Sequence, residues 1–406
     1  MTAPLQTPAR RRSVRRTPLA AARRAVATVF AAQGAAVAAV STTVPAVKER
    51  LSLSAPTMTV LVVAVALSAG VGSFAGLAVI RRLGLVAAMR AAVVATAAAL
   101  LLIGWAPDQA VVAVSYGLFG MALGCIDVSA NTRAAAVERH YGRSIFASFY
   151  AAWSAAGVAA ALLTAGTAHL GWSAEYTLTA QAGLVLALAL TVRSHALPTG
   201  SPLAVSDHGE SQGESVGLGR GLWVGLAPFG LVLLVAYVID STVSSWSTLY
   251  LHQTLDTALS LAPLAYAAYQ VGTVTGRACA DHLVRTLGPA AVIRAATLLT
   301  ATALAGLAAA PAWPYAVLAA ACTGLGVSAL VPLCLASAGR LRPGATEAVL
   351  ARMNVFNYTG VLAGGAASGI LGSTGHFRLA YAIPAALVLA LLATARSFAW
   401  PPRPPL

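Results

Sequence analysis

The chain has 406 residues, of which 58% are hydrophobic and 9% charged, and its formal net charge is +14. Soluble domains carry about 25% charged residues, and a mean hydropathy of +0.78 excludes a chain that solvates itself as a soluble globule. Apolar runs of about 20 residues, the length that crosses a ~30 Å hydrocarbon core, recur from end to end, so the composition reads as an all-α integral membrane protein.

The positive charge does not point to nucleic acid. Nearly all the cations are arginines, Lys48 being the sole lysine, and they fall between apolar runs or in the N-terminal tail. Nucleic-acid domains gather basic residues on one soluble face; cations between spans are topology signals. The four cysteines, Cys125, Cys279, Cys322 and Cys334, lie in or at the ends of apolar segments without a CxxC. They read as packing residues, not as metal ligands or disulfides.

In chain order, residues 1–24 form a polar tail rich in arginine (Arg10, Arg11, Arg12, Arg15, Arg16, Arg23, Arg24). It resembles the basic region of a signal peptide, but an apolar run of full spanning length and many more runs follow. The tail is therefore expected to stay in the cytoplasm ahead of an uncleaved first span. Residues 25–194 then hold six spans, near 25–45, 57–80, 86–105, 110–131, 145–167 and 175–193. The middle of the first is polar (Gln33, Ser41, Thr42, Thr43), and Lys48, Glu49 and Arg50 mark the first outer loop. Residues 195–220, rich in Ser, Gly, Pro and acids, read as a linker between two halves. Residues 221–398 repeat the rhythm, with spans near 221–245, 257–280, 289–310, 314–337, 347–372 and 377–398, and residues 399–406 form a short tail. Twelve spans with both termini in the cytoplasm leave Lys48, Arg50 and Arg378 as the outward cations, the bias the positive-inside rule requires.

The halves share a signature. Gly72 to Gly84 reads GSFAGLAVIRRLG and Gly276 to Gly288 reads GRACADHLVRTLG, each ending the second span of its half. Parallel six-span repeats are a recurrent transporter architecture. Among catalytic and nucleotide motifs, the chain has no GxxxxGK[ST], no metal cluster and no Gly-x-Ser-x-Gly elbow. Neither an enzyme nor ATP-driven transport by this chain is expected, and no cofactor is called for.

Asp127 is the carboxylate that most needs a reason. A charge at the bilayer centre costs about 2.5–3.5 kcal/mol on insertion scales and persists with a partner, a water-filled cavity or a task. With span four ending near residue 131, Asp127 lies about four residues in, roughly 6 Å deep at 1.5 Å per residue. Two roles fit: proton or substrate handling, or a structural anchor to Asn131 one turn later. Tyr150 lies at similar depth in span five, so Asp127, Asn131, Tyr150 and Trp153 are expected to form one patch suited to hydroxylated ligands; the alternative for Tyr150 and Trp153 is interface-belt packing. Asp240, beside Ser241, Ser244, Ser245 and Trp246, is placed near the outer end of span seven. There it either gates a vestibule, binds solute or is a solvated helix-end acid. Gln33, Gln181, Gln270 with Tyr266 and Tyr269, and Asn354, Asn357 and Tyr358 either line a cavity or join helices.

Several stretches resemble the major facilitator superfamily, and within it the branch of the fucose permeases. They are Pro45 to Leu51; Asp127-Val128 with Asn131, then Val137-Glu138-Arg139 and Tyr141-Gly142-Arg143; Ser148 to Ser154; Asp240 with Ser245-Trp246-Ser247 and Tyr250-Leu251; and Gly276-Arg277 with Asp281. The chain departs from that pattern in having Leu77 opposite Asp281, Tyr150 where many relatives resemble one another in having histidine, and Asp240 in place of the more usual glutamate. The resemblance implies two six-helix bundles that rock about one central site. It favours Gln33 and Asn357 as cavity residues and makes Arg277 and Asp281 a salt-bridge latch. It also implies a monomeric secondary transporter in the cytoplasmic membrane. Its partners would be the lipid bilayer, a sugar or similar polar metabolite, and protons loaded on Asp127. An exporter of amphipathic compounds, and a receptor or assembly protein that keeps the fold without transport, are the other readings.

Overall fold

The computed structural model describes residues 9–141, 145–192, 220–339, 341 and 346–398. All but the last residue of the expected linker, and the tail 399–406, lie outside the described residues.

The described residues are overwhelmingly helical. The first half holds α1 (Ala9–Arg50), α2 (Ala55–Leu83), α3 (Leu85–Trp105), α4 (Gln109–Tyr141), α5 (Phe146–His169) and α6 (Ala174–Thr191). The second holds α7 (Arg220–Thr254), α8 (Leu264–Leu287), α9 (Pro289–Ala309), α10 (Trp313–Val327), α11 (Leu330–Gly339), α12 (Thr346–Ser373) and α13 (Phe377–Leu389). A 3₁₀ segment, Ala390–Phe398, prolongs α13, and α10 with α11 forms one interrupted rod. Among the described residues nine helices or rods are long and apolar enough to cross a membrane; α6, α8 and α12, the more polar ones, complete six rods per half.

Local sequence sets the ends. Ser54 caps α2, its hydroxyl accepting from the Thr57 N–H at 3.2 Å, which satisfies one of the orphan donors of the first turn. Gly84 and Gly288 close α2 and α8 with φ of 78° and 80°, a left-handed backbone that glycine adopts without a Cβ penalty. Both belong to the repeated signature, so the repeat carries the same turn into each half. Its first glycines match as well. A Cβ on Gly72 would lie 2.1 Å from the Met121 carbonyl oxygen of α4, and one on Gly276 would lie 2.0 Å from the Ser328 Oγ beyond α10. Close backbone approach at small residues is how helices associate in lipid, where no hydrophobic drive exists between them.

The partner scheme repeats too. In the first half α1 packs on α5, α2 on α4 and α3 on α6; in the second α7 packs on α12, α8 on α10 and α9 on α13. The halves meet where α5 faces α8, α2 faces α12 and α1 faces α7. Peripheral helices keep apolar stripes uncovered: Leu379, Ile383 and Leu387 on α13, and Val94, Leu101 and Trp105 on α3, each at least 40% exposed. Such stripes are unfavourable in water and are what lipid covers.

Several helices run past the expected span ends, α1 (Ala9–Arg50 against 25–45) among them. α4 continues ten residues beyond 131 (to Tyr141), α7 nine beyond 245 (to Thr254), and α8 is shifted to Leu264–Leu287, with 257–263 forming a turn-rich link. Hydropathy stops a span at the first polar cluster, but here Ser241 and Trp246 of that cluster bond to a neighbouring helix, while the hydroxyls of Ser244, Ser247 and Thr248 are buried without a hydrogen-bond partner. Ser241 Oγ donates to the Val361 carbonyl at 2.8 Å and Trp246 Nε1 to the Gly365 carbonyl at 3.0 Å. Helix formation therefore carries on through residues that a window average reads as loop.

At the end of the bundle carrying Lys48, the halves are joined by side chains. Lys48 Nζ donates to Gln253 Oε1 at 2.9 Å, and Glu49 Oε1 lies 2.5 Å from His252 Nε2. The other His252 ring nitrogen faces the Thr257 carbonyl at 2.8 Å. Beneath these, Thr59 and Val62 of α2 pack on Gly369 and Gly365 of α12. Arg50 works within the first half. It pairs with Glu175 at 2.8 Å and donates to the carbonyls of Ile103, Gly104 and Ala106. A cation thus covers the C-terminus of α3, where the helix dipole is negative, and an acid sits in the first turn of α6, where it is positive.

Candidate functional site

Lengthening the helices deepens the charged residues. Asp127 lies eleven residues (127 to 138) from the end of the apolar stretch Gln109–Glu138, about 16 Å at 1.5 Å per residue, against the ~6 Å expected. Asp240 lies fourteen residues (240 to 254) from the end of α7, about 21 Å. It is a mid-helix acid, which corrects its placement near an outer vestibule. Arg277 lies ten residues (277 to 287) from the end of α8, about 15 Å, and is a mid-helix cation instead of one at the helix end.

These depths bring the groups to one level. On the first-half side, Gln33 Nε2 of α1 donates to Asp127 Oδ1 at 2.6 Å. Gln33 is 8% exposed, whereas Asp127 is exposed although helices surround it. The carboxylate therefore faces open space inside the bundle. The anchor to Asn131 is not formed: Gln33 takes that place, and Asn131 Oδ1 is buried without a hydrogen-bond partner. α4 and α5 also do not build the patch side by side. α1 lies between them, with Phe30 edge-on to Tyr150 at 5.4 Å between ring centroids. Tyr150 is 41% exposed and lies within electrostatic reach of Asp127, Arg277 and Tyr358. Trp153 sits one turn further along, half-buried against the core, its carbonyl set against Gly34.

On the second-half side, Tyr269 Oη donates to Asp240 Oδ1 at 2.6 Å. Arg277 Nη1 reaches across to Ser154 Oγ of α5 at 3.4 Å. Ser154 in turn donates to Gln270 Oε1 at 3.3 Å, and Gln270 Nε2 donates to Tyr266 Oη at 3.0 Å. This chain joins the halves at mid-depth. Arg277 forms no ion pair among the described residues, so the expected latch with Asp281 is not seen; the Asp281 side chain itself lies outside the described residues. Tyr237 of α7 completes the cluster, within electrostatic reach of Asp240, Arg277 and Tyr150. Asn357 is half-buried at mid-α12, while its neighbour Tyr358 is 63% exposed and within reach of Asp127. Gln181 takes a different place: fully buried, it donates to the Ala160 carbonyl at 2.7 Å and to Thr164 Oγ1 at 3.1 Å, joining α6 to α5.

Sequence reasoning missed Tyr237 and the depth of Arg277. An arginine within an apolar stretch was the available signal, obscured by a span drawn seven residues too early. Two surface hollows, one lined by Gly171, Trp172, Ser173 and Tyr176 and one by Ala20, Arg23, Arg24, Ala27 and Tyr141, lie away from this centre. Among the described residues no group of three His, Cys, Asp or Glu is placed to hold a metal ion.

Two bundles of one pattern around a polar centre at mid-depth define the class: a multi-pass membrane protein built as a two-fold repeat. The Major Facilitator Superfamily profile matches residues 24–311 and 229–406, and the chain belongs to that superfamily. It is a membrane transporter by family and not an enzyme. An uncharacterised MFS-type transporter of Yersinia pestis is 26% identical over 71% of this chain and 72% of its own length. Among solved structures, a bacterial homologue of the human lysosomal transporter Spinster, described as inward-facing and unoccupied, superposes with a TM-score of 0.72. It is 12% identical, over 95% of this chain and 99% of that one. The D-xylose–proton symporter superposes with a TM-score of 0.64 at 15% identity, over 92% of this chain and 96% of the other. At these identities the superpositions speak for the fold alone.

Proposed function

We propose that the chain is a secondary active transporter that carries a small polar solute by alternating access and couples it to protons through Asp127. The observation that carries this reading is the Asp127–Gln33 pair: a carboxylate at mid-depth, held by one neutral donor, facing open space. A permanently charged acid there is costly. One that gains and loses a proton as the space changes sides has a use for the position. Gln33, Asn131, Tyr150, Trp153, Asp240 and Asn357 are assigned to solute binding on α1, α4, α5, α7 and α12, the helices around that space.

The cross-half contacts support a direction for the captured state. Among the described residues they run from the Lys48 end to Ser154, Gln270 and Arg277 at mid-depth, which supports a bundle closed at the Lys48 end with Asp127 open toward the other. With the arginine-rich loops in the cytoplasm, this is an inward-open arrangement in the cytoplasmic membrane, with both termini inside and the protein working as a monomer. The fucose-permease resemblance and the D-xylose–proton symporter among the structural neighbours favour a hydroxylated solute.

The test begins with thermal unfolding of detergent-purified protein against sugars, polyols and sugar acids, with lipophilic amphipaths as the opposing panel. A ligand at 100 times its Kd adds about 2.7 kcal/mol if it binds the folded state alone. The hit is then followed into proteoliposomes. Asp127→Asn is expected to abolish accumulation driven by a pH gradient while sparing solute exchange. Gradient-driven accumulation at the native rate in the variant refutes the coupling, and stabilisation by amphipaths alone refutes the polar-solute reading.

A further inference from the structure

Arg277 is the group that the proposed function leaves unexplained. It stands at mid-depth of α8 among three tyrosines, Tyr150, Tyr237 and Tyr269, half-buried. A guanidinium offers five N–H donors in a rigid fork. Here one long hydrogen bond, to Ser154 at 3.4 Å, is formed, and the described residues supply no ion pair. Asp240 lies within electrostatic reach of Arg277 without forming an ion pair, its Oδ1 receiving the Tyr269 hydroxyl, and Asp127 receives the Gln33 amide on the opposite half. A mid-membrane cation is retained where something answers its charge. The fork matches a carboxylate or phosphate with two parallel bonds, which a single hydroxyl does not.

Resting on the transport reading above, we infer that the solute carries an anionic group, bound by Arg277, and hydroxyl donors at its other end, received by the free carboxylate oxygen of Asp127. The solute is then a small hydroxylated organic anion. The geometry gives it a mechanical role as well. Asp127 and Gln33 belong to the first half and Arg277 to the second, so such a solute bridges the two bundles. Neutral sugars satisfy the Asp127 end and leave the Arg277 fork without a carboxylate or phosphate to receive its paired N–H donors. Tyr150 is within electrostatic reach of both poles, and its ring, 41% exposed, offers an apolar face to the carbon skeleton.

The experiment uses the full-length protein in detergent and compares glucuronate, gluconate and glucose 6-phosphate with glucose and glucosamine by thermal unfolding and equilibrium binding. Stronger binding of one of the anions than of glucose is expected; carboxylate and phosphate are separated by which of them binds. Arg277→Gln is expected to weaken that anion about 100-fold, the scale for removing one partner of a buried charged pair, and to shrink the preference for the anion over glucose by at least about 10-fold. Arg277→Lys, which keeps the charge and removes the fork, is expected to lose about 10-fold and shows that a folded variant was measured. Glucose binding as well as its acids, or anion binding indifferent to both variants, overturns the assignment and leaves the transport reading standing. If no hydroxylated solute, neutral or charged, stabilises the protein, both readings fall together.

Discussion

The closure at the Lys48 end gives a prediction whose size follows from its bonds. Two side-chain pairs cross between the halves there, Lys48–Gln253 and Glu49–His252. The Glu49 side chain is 51% exposed, so the pair is screened. Exposed ion pairs contribute about 0.2–1 kcal/mol, and a neutral hydrogen bond contributes about 0.5–1.5 kcal/mol. Removing both by Lys48→Ala with Glu49→Gln should cost the closed state about 1–2 kcal/mol. Since 1.4 kcal/mol is tenfold in an equilibrium, the population open at this end should rise by about 5- to 30-fold. Distances between spin labels at Ala55, which begins α2, and Ala258, beyond α7, read that population directly. The control is Arg50→Gln. Arg50 holds α1, α3 and α6 of one half together, so its loss should lower stability without moving the distance distribution. An unchanged distribution in the double variant, or an equal shift from Arg50→Gln, refutes the assignment of the pairs to gating.

Arg50→Gln should also lower the unfolding free energy by about 3 kcal/mol, because a mostly buried pair with Glu175 and three carbonyl bonds are lost together; thermal unfolding measures it, and a loss under 1 kcal/mol contradicts the clasp. Gly276→Ala should cost about 1–3 kcal/mol by overpacking and Gly72→Ala a similar amount, since both face the fourth rod of their half; a neutral result at either breaks the equivalence of the repeats. Tyr269→Phe removes the hydroxyl donated to Asp240 and should slow transport of the identified solute severalfold while leaving the protein folded; native transport rates would exclude Asp240 from the site.

How much of this was legible beforehand differs by residue. Apolar runs separated by arginines fixed the class and the count of rods, because hydrocarbon forces backbone groups to pair within each helix. The repeat, too, was visible in thirteen letters, since a left-handed turn and a close helix contact each need glycine at one place. Gln33 and Asp127 were each singled out by being polar where lipid forbids it. Their partnership was not, because 94 residues separate them and Asn131 was the neighbour the local spacing offered. Arg277 and Asp240 were placed at helix ends for the same reason: hydropathy averages along the chain, whereas their depth depends on which carbonyls and side chains across the interface receive the polar groups of α7 and α8. Sequence alone thus determined the spanning helices, the two halves and the residues requiring explanation. Tertiary structure alone decided which helix lies between which, hence which donor meets which acid and at what depth, because those contacts are made between segments that share no local spacing.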